Sequence, residues 1–239
     1  MKIIATDLVT LVTPSGEDAE YPATNVSDNF RLNPWKSNAS AISTLTIDVA
    51  AGSNAFFCSY MNSAKVTATV KDAGAAVIYG PTEHTINLYN PNLWVDYTLQ
   101  TGVAQILLSF SDPGTAVPYC GVLRAGYAYD FRDFQYGLNE GLIDSSITKD
   151  LNNLAKYYLL KAIVRTFSGS FIVDRDSDFY YFMHRILKQY GRGPYAMLLS
   201  EQLTNKDWGV FGWLDSNLAD GSHDNPNHSQ ISINIEEGI

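Results

Sequence analysis

The sequence is short of charge, of cysteine and of long apolar runs, and each shortage excludes something. Charged side chains make up 17% of the 239 residues, below the roughly 25% usual for a soluble domain, so the surface is polar but weakly charged. Sixteen Lys and Arg stand against 25 Asp and Glu, a net charge of −9, which argues against a protein that holds nucleic acid by neutralising phosphates. The two cysteines, Cys58 and Cys120, are too few for a disulfide framework and have no metal-ligand spacing. Each sits in an apolar, strand-like stretch, where a buried free thiol is the ordinary state; a single bond between the two stays open. No stretch has the apolar length of a membrane-spanning helix. The segment Met1-Lys2-Ile3-Ile4-Ala5-Thr6-Asp7 lacks the basic start, apolar core and cleavage site of a secretory signal, so synthesis and assembly in a cytoplasm are expected.

Catalytic signatures are missing too. There is no nucleophile elbow, phosphate loop, dinucleotide fingerprint or zinc-protease helix. Of the four histidines, His84 lies at a turn or strand start and His184 beside a helical stripe, where a structural role is commoner than catalysis. The other two, His223 and His228, fall in Asp220-Gly221-Ser222-His223-Asp224-Asn225-Pro226-Asn227-His228. That stretch gathers imidazoles, carboxylates and amides, but it matches no established metal loop and has the composition of a solvated one. Asp174, Asp176 and Asp178 alternate around Arg175 at a helix start, as capping and the helix dipole require. The chain is therefore read as a non-enzyme with no catalytic residue, cofactor or metal.

What is present is apolar and aromatic: 46% hydrophobic residues, including 15 Tyr. Many tyrosines on a weakly charged surface suit a protein that lies against neighbours, although β-proteins are also Tyr-rich for packing reasons. Period-two alternation marks strands at Thr44–Val49, Lys65–Lys71 and Thr85–Tyr89, with further strands at Leu93–Leu99 and Ala104–Phe110. Ala51-Gly52-Ser53-Asn54, Asp72-Ala73-Gly74, Asn90-Pro91-Asn92 and Asp112-Pro113-Gly114 supply the turns between them. Many short strands without a long helix point to an antiparallel sandwich of the jelly-roll kind over residues 1–125.

Residues 126–239 differ in character. A strand pair is expected from Ala125–Tyr129 and Gly141–Ser145, then a long strand within Lys156–Phe171, where β-branched and aromatic residues crowd the second half. One helix is expected at about 177–190. Ser177 or Asp176 serves as its N-cap, Phe179, Phe182, Met183, Ile186, Leu187 and Tyr190 form its stripe, and Gly191 is its stop. Gly193–Leu199 and Trp208–Leu214 read as buried strands and Asp215–Ser229 as a polar loop. Gln230–Glu236 is a final alternating strand, a C-terminal arm that pairs within the chain or reaches a neighbouring subunit. The expected fold class is thus mainly β, with two β-sandwich domains, the second carrying the helix.

Two resemblances add to this reading. Tyr21-Pro22-Ala23-Thr24-Asn25-Val26-Ser27-Asp28, Trp35-Lys36-Ser37 and Ser43–Val49 together resemble the opening of galactose-binding-like (discoidin-type) jelly rolls. The likeness implies a packing role for Trp35 and places Asp28 where some members hold a structural calcium, though Asn29 stands where a glycine commonly follows. The order Tyr136-Gly137-Leu138, Ser145-Ser146, long strand, helix with an aromatic face, Gly191-Arg192-Gly193-Pro194-Tyr195-Ala196 and Trp208–Leu214 is similar to tail and tail-tip proteins of tailed bacteriophages. It departs from the distal-tail arrangement in placing the module-like sandwich first. This second likeness implies a virion structural protein of the tail tip or baseplate, assembled in the host cytoplasm with other tail proteins as a ring or trimer. The alternative is a carbohydrate-binding module for host-surface recognition. Trp94, Tyr97 and Tyr119 then either stack on sugar faces or fill the sandwich core, as aromatic strand positions usually do.

Overall fold

Where the sequence alternates, the chain forms strands. The computed structural model describes residues 1–239 except 31, 40–41, 88–90, 112–113, 115, 132–137, 145, 151–155, 160–162, 201–208, 223–227 and 239. In chain order its strands are β1 (Lys2–Ile4), β2 (Val9–Pro14), β3 (Trp35–Lys36), β4 (Ser43–Val49), β5 (Ala55–Met61), β6 (Lys65–Lys71), β7 (Val77–Thr85), β8 (Asn92–Asp96) and β9 (Ala104–Ser111). There follow β10 (Tyr119–Gly126), β11 (Ala128–Asp130), β12 (Asn139–Asp144), β13 (Ile147–Asp150), β14 (Lys156–Leu159), β15 (Ile163–Asp174), β16 (Tyr195–Leu198), β17 (Gly209–Ser222) and β18 (His228–Glu237). The fold is mainly β and its described strand ladders are antiparallel. Two compact units divide the chain: Met1–Asp133 with Pro194–Phe211, and Phe134–Gly193 with Gly212–Ile239. Residues 194–211 belong to the first unit, because Tyr195–Leu198 forms a strand beside Lys2–Ile4.

The first unit is built around an antiparallel sandwich of the jelly-roll kind. A five-stranded sheet, β2-β4-β9-β6-β7, faces a four-stranded sheet, β3-β10-β5-β8. In β4 and β9 every second residue is buried, so one face of that sheet is turned to the core and the other to solvent. The facing side chains include Leu45, Ile47, Val66, Ile106, Leu108 and Phe110 against Trp35, Phe56, Cys58, Leu93 and Leu123. Each such fully buried side chain contributes about 1.5–3 kcal/mol relative to exposure.

Strand β5, Ala55-Phe56-Phe57-Cys58-Ser59-Tyr60-Met61, behaves differently: all but Tyr60 are buried. A continuous apolar run of this kind needs cover on both faces. The second cover comes from β11, β1 and β16 together with Phe211. Ile4, Ala128, Ala196, Leu198 and Phe211 pack on Ala55, Phe57, Trp94 and Val122. This packing leaves no room for a side chain at Gly126, where a Cβ would run into the Thr6 carbonyl.

The second unit holds β18 between β15 and β17, with β12 at the outer side of β15. Ile231, Ile233 and Ile235 of β18 share a face with Phe167, Phe171 and Val173 of β15. Over that face lies a helical segment at 175–190, where Phe182 meets Phe171 edge-on at 5.5 Å. Most of the helix is wound wider than an α-helix, with an i→i+5 bond from Lys188 N–H to the Met183 carbonyl. Its N-terminus is capped by Asp174, whose Oδ1 accepts from Ser177 N and Oγ at 3.3 Å, rather than by Ser177, and the side chain of Asp176, the other expected cap, lies outside the described residues. Gly191, with φ +66°, ends it.

Several sequence expectations change here. The expected strand pair separates, β11 joining β1 and β12 joining β15. The expected strand at Thr85–Tyr89 ends at Thr85, its preceding residues forming β7, and 88–90 lie outside the described residues. The long strand is divided into β14 and β15, with 160–162 outside the described residues. The polar stretch from Asp215 is the second half of β17, since backbone ladder bonds to β18 satisfy it as well as water would. The C-terminal arm pairs within the chain, and with β15 and β17 on its two sides it has no edge left to offer a neighbour.

Candidate functional site

Burial decides between the two readings of the three aromatics. Trp94, on β8, is fully buried against Phe57 at 6.1 Å, and its indole N–H donates to Asp96 Oδ1 at 2.9 Å. Lys2 of β1 pairs with the same carboxylate at 3.0 Å, fixing the covering layer over the ring. Tyr97 is buried in the sandwich core beside Phe56 at 6.4 Å. Burial pushes its hydroxyl up to about 12, and the nearby Ser53 hydroxyl offsets part of that, although neither oxygen completes a hydrogen bond of good geometry. Neither ring can serve as a sugar platform. Both are core residues, Trp94 under the layer that covers the outer face of its sheet and Tyr97 between the two sheets.

Tyr119 is different. It opens β10 and stands half-buried beside Tyr60, ring centroids 5.8 Å apart and tilted by 43°. Tyr60 reaches this place through an irregularity in β5. Cys58 and Met61, three residues apart, both enter the core, which a regular strand forbids because successive side chains alternate. The alternation resets at Tyr60, a non-glycine residue at φ +59°, a conformation that costs on the order of 1 kcal/mol or more. Tyr60 is thereby turned out of the core to join Tyr119. Asn62 holds the start of β10: its Nδ2 donates to the Val117 carbonyl at 2.7 Å and its Oδ1 accepts from Tyr119 N at 2.8 Å.

The row continues on β3. Lys36 is the register partner of Tyr119, so the two side chains share a face, and the Lys36 ammonium lies 3.4 Å from the centre of the Tyr21 ring. Tyr60, Tyr119, Lys36 and Tyr21 thus form a half-buried row across three strands and the preceding turn. Burial and the neighbouring Tyr60 raise the Tyr119 phenol above its usual range, so it is a hydrogen-bond donor at neutral pH. Such a row offers flat apolar rings, three hydroxyls and one ammonium. Of its four members only Tyr119 was singled out from sequence. The strand reset at Tyr60 leaves no mark in a periodicity reading.

The loop carrying Asp28 was the other candidate, as a calcium site. Its oxygens converge on an arginine instead. Arg124 of β10, itself buried, donates from Nη1 to the Val26 carbonyl at 3.2 Å and from Nη2 to the Asp28 carbonyl at 2.9 Å and Asn29 Oδ1 at 2.8 Å. Asp7 lies 3.6 Å from the same guanidinium, and the Phe211 ring packs 4.9 Å from its centre. Burial works against this charge, while Asp7 and Asp28 work for it. The positive charge the loop needs is covalently part of the chain, and Asn29 is one of its ligands.

The remaining candidates do not assemble into a site. His84 bonds Tyr79 through Nε2 at 3.0 Å on the edge strand β7. His184 is exposed and stacked on Tyr180 at 4.7 Å. His228 opens β18 across from Asp174, whereas 223–227 lie outside the described residues, His223 among them. Among the described residues no cluster of His, Cys, Asp or Glu could hold a metal ion, and no helix is long and apolar enough to cross a membrane. Cys58 and Cys120 are free and buried. Burial pushes the Cys58 thiol up, and a hydrogen bond with Cys120 adds to the rise.

No family model matches the sequence, and no curated protein matches it. Similar solved structures include the family 32 carbohydrate-binding module of C. perfringens NanJ in complex with galactose, at TM-score 0.43 and 13% identity, covering 53% of this chain and 100% of that one. Chitosan-binding module 1 of a chitosanase/glucanase from Paenibacillus sp. IK-5 has TM-score 0.43 and 12% identity over 51% of this chain and 98% of that one. Reduced XRCC1, from its complex with the DNA pol beta catalytic domain, has TM-score 0.40 and 12% identity over 51% and 97%.

Proposed function

We propose that this is a non-enzymatic binding protein whose Tyr60, Tyr119, Lys36 and Tyr21 row takes the face of a carbohydrate. The observation that carries the reading is Tyr60, held at φ +59° so that its ring lies beside Tyr119 instead of in the core. Backbone strain retained at a half-buried aromatic pair points to a role for the pair outside folding. Sugar C–H faces pack on such rings, and the Tyr119 hydroxyl and Lys36 ammonium supply donors for ring hydroxyls. The row holds no carboxylate, so it binds without an acid-base pair of its own. Glycan-array and calorimetric titrations of the wild type, Tyr60→Gly and Tyr119→Ala test it. Saturable binding by the wild type and its loss in both variants is the expected result. Absence of any bound glycan, or binding that survives both changes, overturns it.

A second reading, a structural subunit of a tailed-phage tail tip or baseplate that works through contacts with sister copies and other virion proteins, is favoured by the second unit's surface. Leu142 on the edge strand β12 is 70% exposed and Ile163 on the adjacent β15 55%, on one face of the sheet, and Ile143 is exposed on the other. Isolated apolar residues on a surface are ordinary, but a group at an unpaired sheet edge suits a covered surface. Sedimentation of the full chain, alone and with candidate virion partners, tests it; a protein that stays monomeric in every mixture counts against it.

A further inference from the structure

The helical segment of the second unit carries a charge pattern opposite to that of the chain as a whole. From 179 to 200 there is no carboxylate, whereas Arg185, Lys188 and Arg192 fall within eight residues and the whole chain stands at −9. The face away from the sheet is also aromatic. Tyr180 is 55% exposed and stacked on His184 at 4.7 Å, Tyr181 is 37% exposed, and Arg185 and Lys188 are exposed beside them. In a helix this wide, residues four apart lie nearly in line, so Tyr180, His184 and Lys188 make one row and Tyr181 and Arg185 the next. Asp174 and Asp178 are both bonded to Ser177 at the helix start.

The opposite pattern stands at the other end of the sequence. Between Lys2 and Arg31 there is no cation, but there are five carboxylates, and Glu17, Asp18 and Glu20 come together in one exposed turn. That turn is built, not loose: Asp18 Oδ1 accepts from Glu20 N at 2.9 Å and Glu17 Oε2 from Ala23 N at 2.7 Å. The nearby Lys36 directs its ammonium at the Tyr21 ring. We propose that the basic, aromatic face of the helix is a docking surface for the Glu17–Glu20 turn of a second copy of this chain, joining copies head to tail. The proposal rests on the assembly reading and names its partner. Charge complementarity selects that partner, since the chain carries both halves of the match, and a heterologous contact of this kind closes into a ring or continues as a filament.

Sedimentation velocity of the full chain, at about 50 mM and about 500 mM NaCl, is the test, because exposed charge pairs lose their attraction as the screening length shortens. The wild type is expected to associate at low salt and to weaken at least about tenfold at high salt. Arg185→Glu with Lys188→Glu, and separately Glu17→Gln, Asp18→Asn and Glu20→Lys, are each expected to sediment as monomers. The amide replacements keep the acceptors that hold the turn. Mixing the two variants should restore association, since each then meets the opposite charge on the other. Arg185→Gln with Lys188→Gln, which adds no repulsion, should fall between wild type and reversal. Association that ignores salt and all these variants overturns the surface and leaves the assembly reading standing. A wild type that is monomeric at every concentration and salt overturns both.

Discussion

The two units of this chain hold an arginine in different ways, one buried and one partly exposed. In the first, Arg124 is surrounded by carbonyl oxygens of the 26–29 loop, the Asn29 amide and a single carboxylate at 3.6 Å. In the second, Arg165 meets Glu237 in a two-point fork at 3.0 and 2.7 Å, with Glu140 at 3.9 Å. The fork joins β15 to β18, two strands already held by a long ladder. Arg124 by contrast organises a loop whose oxygens have few other donors. The comparison teaches that a buried charge matters most where it substitutes for missing secondary structure.

That contrast can be broken by measurement. Arg124→Met strands the loop carbonyls and Asp7, and should lower stability by roughly 3–5 kcal/mol in urea titration followed by tryptophan fluorescence. A loss under about 1 kcal/mol would show that water satisfies the loop without the guanidinium. Next comes Tyr97. Its folded-state value of about 12 lies above the ordinary 10.0, so the neutral phenol's contribution is fully present below about pH 10 and is lost as pH rises toward about 12, up to about 3 kcal/mol. Tyr97→Phe should flatten that alkaline decline; a decline of unchanged slope assigns it elsewhere.

Arg165→Met should cost about 2 kcal/mol, less than the change at Arg124, because the β15–β18 ladder persists without the fork. An equal or larger loss would reverse the comparison. The smallest effect belongs to Tyr60→Gly. Relief of the positive φ offsets the lost ring packing, and the midpoint should move by less than about 1 kcal/mol. A larger fall would mean that Tyr60 is a packing residue and that its conformation serves the fold.

Much of the fold was legible because its signals are local. The alternation at Ser43–Val49, Lys65–Lys71 and Ala104–Ser111 marks strands with one face buried, since a period of two is fixed by neighbouring residues alone. The stripe Phe182, Ile186, Leu187 and the stop at Gly191 mark the helix for the same reason. Trp35, beside Phe110 at 5.5 Å, is the core residue that the jelly-roll likeness implies. The polar run after Asp215 misled, because a ladder strand can be polar when its backbone is paired, as Ala219–Ser222 are with β18.

The candidate site was legible only in part. From sequence, Trp94, Tyr97 and Tyr119 are equivalent strand aromatics. Trp94 is set apart by a third layer brought by Ile4, Ala196, Leu198 and Phe211, residues distant from it in the chain, and Tyr97 by turning into the sandwich core beside Phe56. Likewise, nothing local connects Arg124 to a loop 96 residues earlier. Sequence by itself determined the alternating strands Ser43–Val49, Lys65–Lys71 and Ala104–Ser111 and the helix, because those signals depend on residues within a few positions. Only the tertiary structure decided which aromatic is covered and which cation fills the Asp28 loop. Cover and coordination are supplied by residues distant in the chain, and their positions are set by packing rather than by spacing.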